Sequence, residues 1–196
     1  MKKTLISTLA ALMALVLAFS AFAASGTVTY DSPHAGCALT LPAGCIPLTE
    51  DTLQSILRSD SFDQAIDDIG ISKDLFYQLL GVSDIEMVLS PTLSGNLIIG
   101  SEPFGYTVDV MEVLYTALDA SYKEYFTSIN IPIDNVDFRG MIDVFGSRAY
   151  SLHIESLGAA QDVYVFFDGK SMITFTFTDF SNDDIMTILK SFVENH

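Results

Sequence analysis

The chain has 196 residues, 49% of them hydrophobic, with 25 acidic residues against 9 basic ones and a formal net charge of −16. That length suits one domain able to bury a sizeable core without staples. The charge excludes partners that need a basic patch, so neither nucleic acid nor an anionic lipid headgroup is an expected ligand.

Lys2 and Lys3 precede an apolar run over residues 5–22 that is interrupted only by Ser7, Thr8 and Ser20, and Ala21-Phe22-Ala23 supplies a small-x-small cleavage pattern. Residues 1–23 therefore read as a secretory signal, and residues 24–196 as one mature domain that is secreted or kept in the cell envelope. The run barely reaches spanning length, which favours a signal over a membrane anchor. Cleavage after Ala23 would remove two of the nine basic residues and leave a net charge of −18.

Residues 27–30 and 37–41 alternate like short strands around the turn-rich Asp31-Ser32-Pro33, which predicts an opening or edge hairpin. Cys37 and Cys45 lie eight positions apart in an exported chain, so a disulfide closed by the Pro42-Ala43-Gly44 turn is expected. With only His34 nearby, the two sulfurs make a poor zinc set. Residues 49–81 read as three short helices, started by Thr49, by a Ser61/Gln64 capping box and by Ser72 with Asp74, with Gly70 and Gly81 as stops. Strands follow at 85–89 and 97–99.

The longest helix is expected from Thr107, with Val110, Leu114, Ala117, Leu118, Ser121 and Tyr125 facing the core and Asp109, Glu112, Thr116, Asp119 and Lys123 facing away. From Val136 the pattern is antiparallel sheet. A three-residue turn at Gly146-Ser147-Arg148 would pair Val144 with Tyr150, Ile142 with Leu152, Gly140 with Ile154 and Arg139 with Glu155. A second hairpin is expected around Asp168-Gly169, where Ile173, Phe175 and Phe177 alternate with threonines. Ser181 caps a final helix whose buried face is Ile185, Ile188, Leu189 and Phe192. Residues 163–167 are apolar on both faces, so helices are expected on both sides of the sheet. The fold class is α+β, an antiparallel sheet flanked by helices on both faces in an α/β/α sandwich.

Three stretches carry a resemblance to a known family: Cys37-Ala38-Leu39-Thr40-Leu41-Pro42, Gly95-Asn96-Leu97-Ile98-Ile99 before the long helix, and Asp168-Gly169-Lys170 through to Asn195. In this order they resemble the PsbP-like family, including its secreted, non-photosynthetic bacterial relatives. Where the family usually has an aromatic residue soon after the proline, this chain has Cys45 and Ile46. The resemblance implies helical layers around an antiparallel sheet and a noncatalytic binding or assembly role, and it supplies no catalytic residues.

Two carboxylate groups suggest calcium, namely Asp60, Asp63, Asp67 and Asp68, and Asp179, Asp183 and Asp184 with Asn182. Neither has the spacing of a calcium loop, and a solvated helix face and a helix start account for both. For catalysis, Arg139, Asp143, Ser151, His153 and Glu155 are expected on one sheet face, where a serine, histidine and carboxylate set can be drawn. No other catalytic motif appears. The sequence therefore reads first as a noncatalytic extracytoplasmic domain that binds an unidentified protein or small ligand and needs no cofactor. A calcium-binding protein is the alternative, and an extracytoplasmic hydrolase the second.

Overall fold

A computed structural model describes residues 26–48, 86–92, 94–128, 135–156 and 159–196. The expected signal, the three short helices of residues 49–81 and the Asp60, Asp63, Asp67 and Asp68 group lie outside the described residues. Among those described, no helix is long and apolar enough to cross a membrane.

Among the described residues, nine strands and two long helices make an α+β fold. Strands β1 (Val28–Ser32) and β2 (Cys37–Leu41) form a two-stranded sheet. The remaining strands are β3 (Ile46–Pro47), β4 (Glu86–Leu89), β5 (Asn96–Pro103), β6 (Val136–Val144), β7 (Ser147–Ser156), β8 (Ala159–Phe167) and β9 (Ser171–Thr178). They make one antiparallel sheet in the order β3-β4-β5-β9-β8-β7-β6. Helix α1 (Val108–Ser128) covers one face through Met111, Phe126, Tyr115, Leu118 and Tyr122, which pack on Tyr150, Leu152, Val163 and Val165. Helix α2 (Asn182–Asn195) covers the other through Ile185, Ile188, Leu189 and Phe192, which pack on Leu97, Tyr164, Phe166, Phe175 and Phe177. The period-2 alternation of apolar residues along β8 and β9 thus feeds two cores, as expected from the sequence.

The opening hairpin is fixed to the large sheet by a buried charge. Glu86 at the start of β4 is 8% exposed, and its Oε2 accepts from the Ser32 hydroxyl at 3.0 Å and from the His34 backbone N–H at 3.1 Å. Burial and the adjacent Glu86 carboxylate push the Tyr30 hydroxyl well above its ordinary pKa, so Tyr30 stays a neutral donor to that carboxylate. Helix α2 holds the hairpin's other side. The Ser191 hydroxyl accepts from the Thr40 N–H at 2.8 Å, and the Asn195 amide donates to the Ala38 carbonyl at 3.0 Å.

The expected disulfide is not formed, and both Cys37 and Cys45 are free thiols. Along β2 the chain travels about 13 Å from Cys37 to Leu41. The following turn then closes locally, with the Cys45 N–H donating to the Pro42 carbonyl at 3.1 Å, and so leaves Cys45 at the far end of the strand. That separation is beyond disulfide reach. Burial pushes the Cys45 thiol up to about 12 and raises that of Cys37 as well, so both stay protonated near neutral pH.

Both hairpin turns differ from expectation. The β6–β7 turn is the two-residue Phe145-Gly146, both at positive φ (54° and 87°), and it pairs Val144 with Ser147 and Ile142 with Ala149. A shift between Phe138 and Gly140 then restores the alternation by placing Phe138 opposite Leu152 and Val136 opposite Ile154. A bulge therefore does the work assigned to a longer loop. In the β8–β9 hairpin the turn residues are Gly169-Lys170, one position later than expected. Asp168 Oδ1 accepts from the N–H groups of Lys170 and Ser171 at 2.7 and 2.6 Å.

The long helix is rotated relative to expectation. Its inward row is Met111, Tyr115, Leu118, Tyr122 and Phe126, whereas Val110, Leu114, Ala117 and Ser121 are exposed. The larger rings and the methionine bury more area than valine and alanine, which decides between two rows of similar apolar character. Glu112 and Asp119, expected to face away, instead reach the sheet: Glu112 forms a two-armed pair with Arg148, and Asp119 accepts from the Tyr150 hydroxyl at 2.6 Å. The Tyr122 side chain lies outside this polar pair and stacks on Tyr150 with ring centroids 5.9 Å apart.

Candidate functional site

The sheet face under α2 carries the polar group expected from the sequence, with a different membership. The β7–β8 register sets His153 opposite Asp162, and the β6–β7 register sets it opposite Asp137. Asp162 Oδ1 accepts from Arg139 Nη1 at 2.9 Å and lies 3.0 Å from His153 Nδ1. Arg139 also reaches Asp137 at 3.4 Å, and its guanidinium sits beside the Tyr164 hydroxyl. His153 Nε2 is 3.8 Å from Glu155. One aspartate on β8 thus ties together an imidazole from the adjacent β7 and a guanidinium from β6 beyond it.

Arg139, His153 and Glu155 are brought together as expected, but Asp143 and Ser151 are not part of the group. Asp143 lies about 20 Å along β6 from Asp137, where its carboxylate accepts from the Gly146 N–H in the turn. Ser151 shares the His153 row, yet it is 0% exposed and its hydroxyl has no hydrogen-bond partner. The sequence reading missed Asp162 and Asp137. The signal for Asp162 was the β7–β8 register, which follows once Leu152 is set against Val163.

Chemically, the imidazole and carboxylate pair resembles half of a hydrolytic triad. A nucleophile within about 3.2 Å of the imidazole would be needed to complete it. Ser151, sealed in the sheet with no bond to His153, does not supply one, so the serine, histidine and carboxylate set is not assembled. The group instead crosslinks three strands, each partly exposed pair contributing about 0.2–1 kcal/mol. Because the Ser151 hydroxyl is buried without a partner, Ser151→Ala is expected to leave stability unchanged or raise it by up to about 1 kcal/mol. Urea denaturation of the two proteins measures this, and a loss larger than that would show that the hydroxyl is satisfied in solution.

The second carboxylate group is also consumed locally. Asp179, at φ 51°, accepts from the Ala160 N–H at 3.1 Å, and Asp184 accepts from the Ser181 hydroxyl at 2.7 Å while its own N–H returns to that oxygen. Asp183 sits with Asp184 in the first turn of α2, where the helix dipole favours negative charge. Among the described residues, no three histidines, cysteines, aspartates or glutamates converge as a metal-holding group.

Away from the polar group, α1 presents apolar side chains to solvent. Val113 is 76% exposed, and Tyr106, Val110 and Leu114 are also exposed. By helical spacing Val110, Val113 and Leu114 share one side of α1 with Ala117, Ala120 and Ser121, all exposed.

Compared with known proteins, the chain matches no family model and no curated protein. Among solved structures it is similar to the cyanobacterial PsbP (CyanoP) of Synechocystis sp. PCC 6803, at 11% identity and TM-score 0.40, over 88% of this chain and 92% of that one. It is also similar to a protein from Bacteroides thetaiotaomicron VPI-5482, at 11% identity and TM-score 0.45, over 85% of this chain. There the chain spans about half of the other protein, 47% of its length. The α+β class expected from the sequence is that of the described residues, and no activity, ligand or partner follows from either likeness.

Proposed function

We propose that the chain is a noncatalytic binding or assembly domain acting outside the cytoplasm, and that it contacts its partner through the outer face of α1. The observation that carries this reading is the exposure of Val113, 76%, at the centre of an apolar row on a helix whose opposite row is already spent on the sheet. Contiguous apolar surface of this kind marks interaction sites in soluble proteins. The export signal read in residues 1–23 supports the location. A hydrolytic role has less support, because among the described residues Ser151, the serine on the His153 row, is sealed in the sheet with no bond to the imidazole.

Site-specific photocrosslinking in the producing cell tests the reading. A photoreactive residue at position 113 is expected to give a discrete adduct that the same residue at the exposed position 194 of α2 does not give. Identical adducts from both positions, or none from position 113, would remove the outer face of α1 as the contact surface.

A further inference from the structure

We infer that the partner seated on the outer face of α1 is a cationic amphipathic helix, an inference that rests on that face being a docking surface. The spacing argues for a helix. Val110, Val113, Ala117 and Ala120 recur at intervals of three and four residues, which is the seam of a heptad pattern, with Leu114 and Ser121 beside it. The seam is about 15 Å long, or close to three turns. Ala117 and Ala120, its C-terminal half, let another helix axis come as near as about 8 Å there. A strand laid there would find no backbone edge to pair with, since the helix has already satisfied its own backbone groups.

Charge decides the sign of the partner. Asp109 and Glu124 stand at the two ends of the seam, both exposed. The basic residue of α1, Lys123, is turned away from the seam, its ammonium 4.9 Å from the Phe138 ring on β6. Among its own residues α1 therefore offers carboxylates and no competing cation on this face, in a chain with 25 acidic and 9 basic residues. A second copy of this chain would oppose like charges along the same seam, and an acidic helix would do the same. A helix with apolar residues at heptad spacing and lysines or arginines beside them matches both features.

The test uses two labelled synthetic peptides of about 14 residues, one amphipathic helix of leucine and lysine and its leucine and glutamate counterpart, followed by fluorescence anisotropy on the full mature chain. The leucine and lysine peptide is expected to bind saturably, and the glutamate peptide at least tenfold more weakly. Val113→Asp is the informative variant, because it adds negative charge and would strengthen any purely electrostatic attraction to lysine. It is nevertheless expected to weaken binding at least tenfold through loss of the apolar seam, while Asp109→Asn with Glu124→Gln weakens it several-fold. If both peptides bind alike and Val113→Asp weakens both, the docking face stands and the cationic class is wrong. If Val113→Asp weakens neither peptide, the docking face itself is wrong. Sedimentation showing a dimer that Val113→Asp dissolves would overturn the inference in favour of a second copy.

Discussion

An alanine at position 95 is expected to destabilise the fold by roughly 3 kcal/mol or more, a large effect for one added methyl group. A Cβ there would lie 2.0 Å from the Thr178 carbonyl oxygen and 2.9 Å from that of Asp179. Both obstacles are backbone atoms, which cannot rotate away as a side chain can. The surrounding bonds also hold Gly95 in place: its N–H donates to the Ser90 hydroxyl at 3.0 Å, and its carbonyl accepts from the Ser90 N–H at 2.9 Å. Relief would have to come from separating β5 from β9 at the Asn96 and Thr178 pair, near the middle of the sheet order. Gly105→Ala is the control, since nothing lies within 4 Å of a Cβ at that position. Urea midpoints are expected to fall steeply for the first variant and little for the second. Equal midpoints would show that the β5–β9 corner yields without strain.

Elements whose environment is local were legible in the sequence. Ser181 caps α2 as its hydroxyl predicts, and the buried row of that helix is the one its spacing gives. The alternation in β9 and the double-faced apolar pattern of β8 led correctly to two helical layers. What was not legible depends on distant partners. The bulge on β6 needs a glycine at positive φ, and a Cβ at Gly140 would meet the Tyr115 ring of α1 at 3.2 Å. No short-range pattern announces a contact across 25 positions. The same distance obscured the site: His153 was visible as a polar residue in an apolar strand, but Asp162 becomes its partner only when β7 and β8 are aligned.

The rotation of α1 has a further lesson, because the helix is apolar on more than one side. Periodicity pointed to Val110, Leu114, Ala117, Leu118, Ser121 and Tyr125 as the row facing the core. Size decided against it, since the row with Tyr115, Tyr122 and Phe126 covers the sheet better than Val110, Leu114 and Ala117 would. The row left over is the one exposed to solvent. The misreading of the core face and the docking surface proposed for α1 therefore have one physical origin, a helix with more apolar surface than the sheet can cover.

Truncating Phe192 is the second large expected effect, about 3–5 kcal/mol for Phe192→Ala. This fully buried ring lies 4.8 Å from Phe166, 4.9 Å from Phe175 and 4.7 Å from His196, centroid to centroid, so its removal leaves a ring-sized hole that three aromatic neighbours cannot fill by small shifts. The loss should be unevenly distributed. Helix α2 also holds the β1–β2 sheet through Ser191 and Asn195, whereas α1 packs on a separate core around Tyr150 on the opposite face. Amide hydrogen exchange on Phe192→Ala is therefore expected to show α2, β1 and β2 losing protection first, with α1, β6 and β7 retaining more of theirs. Under conditions where the variant is still folded, peptide binding at α1 should survive. Uniform loss of protection across both faces would instead mean that the sheet couples the two cores into one cooperative unit, and binding at α1 would then fall with global stability.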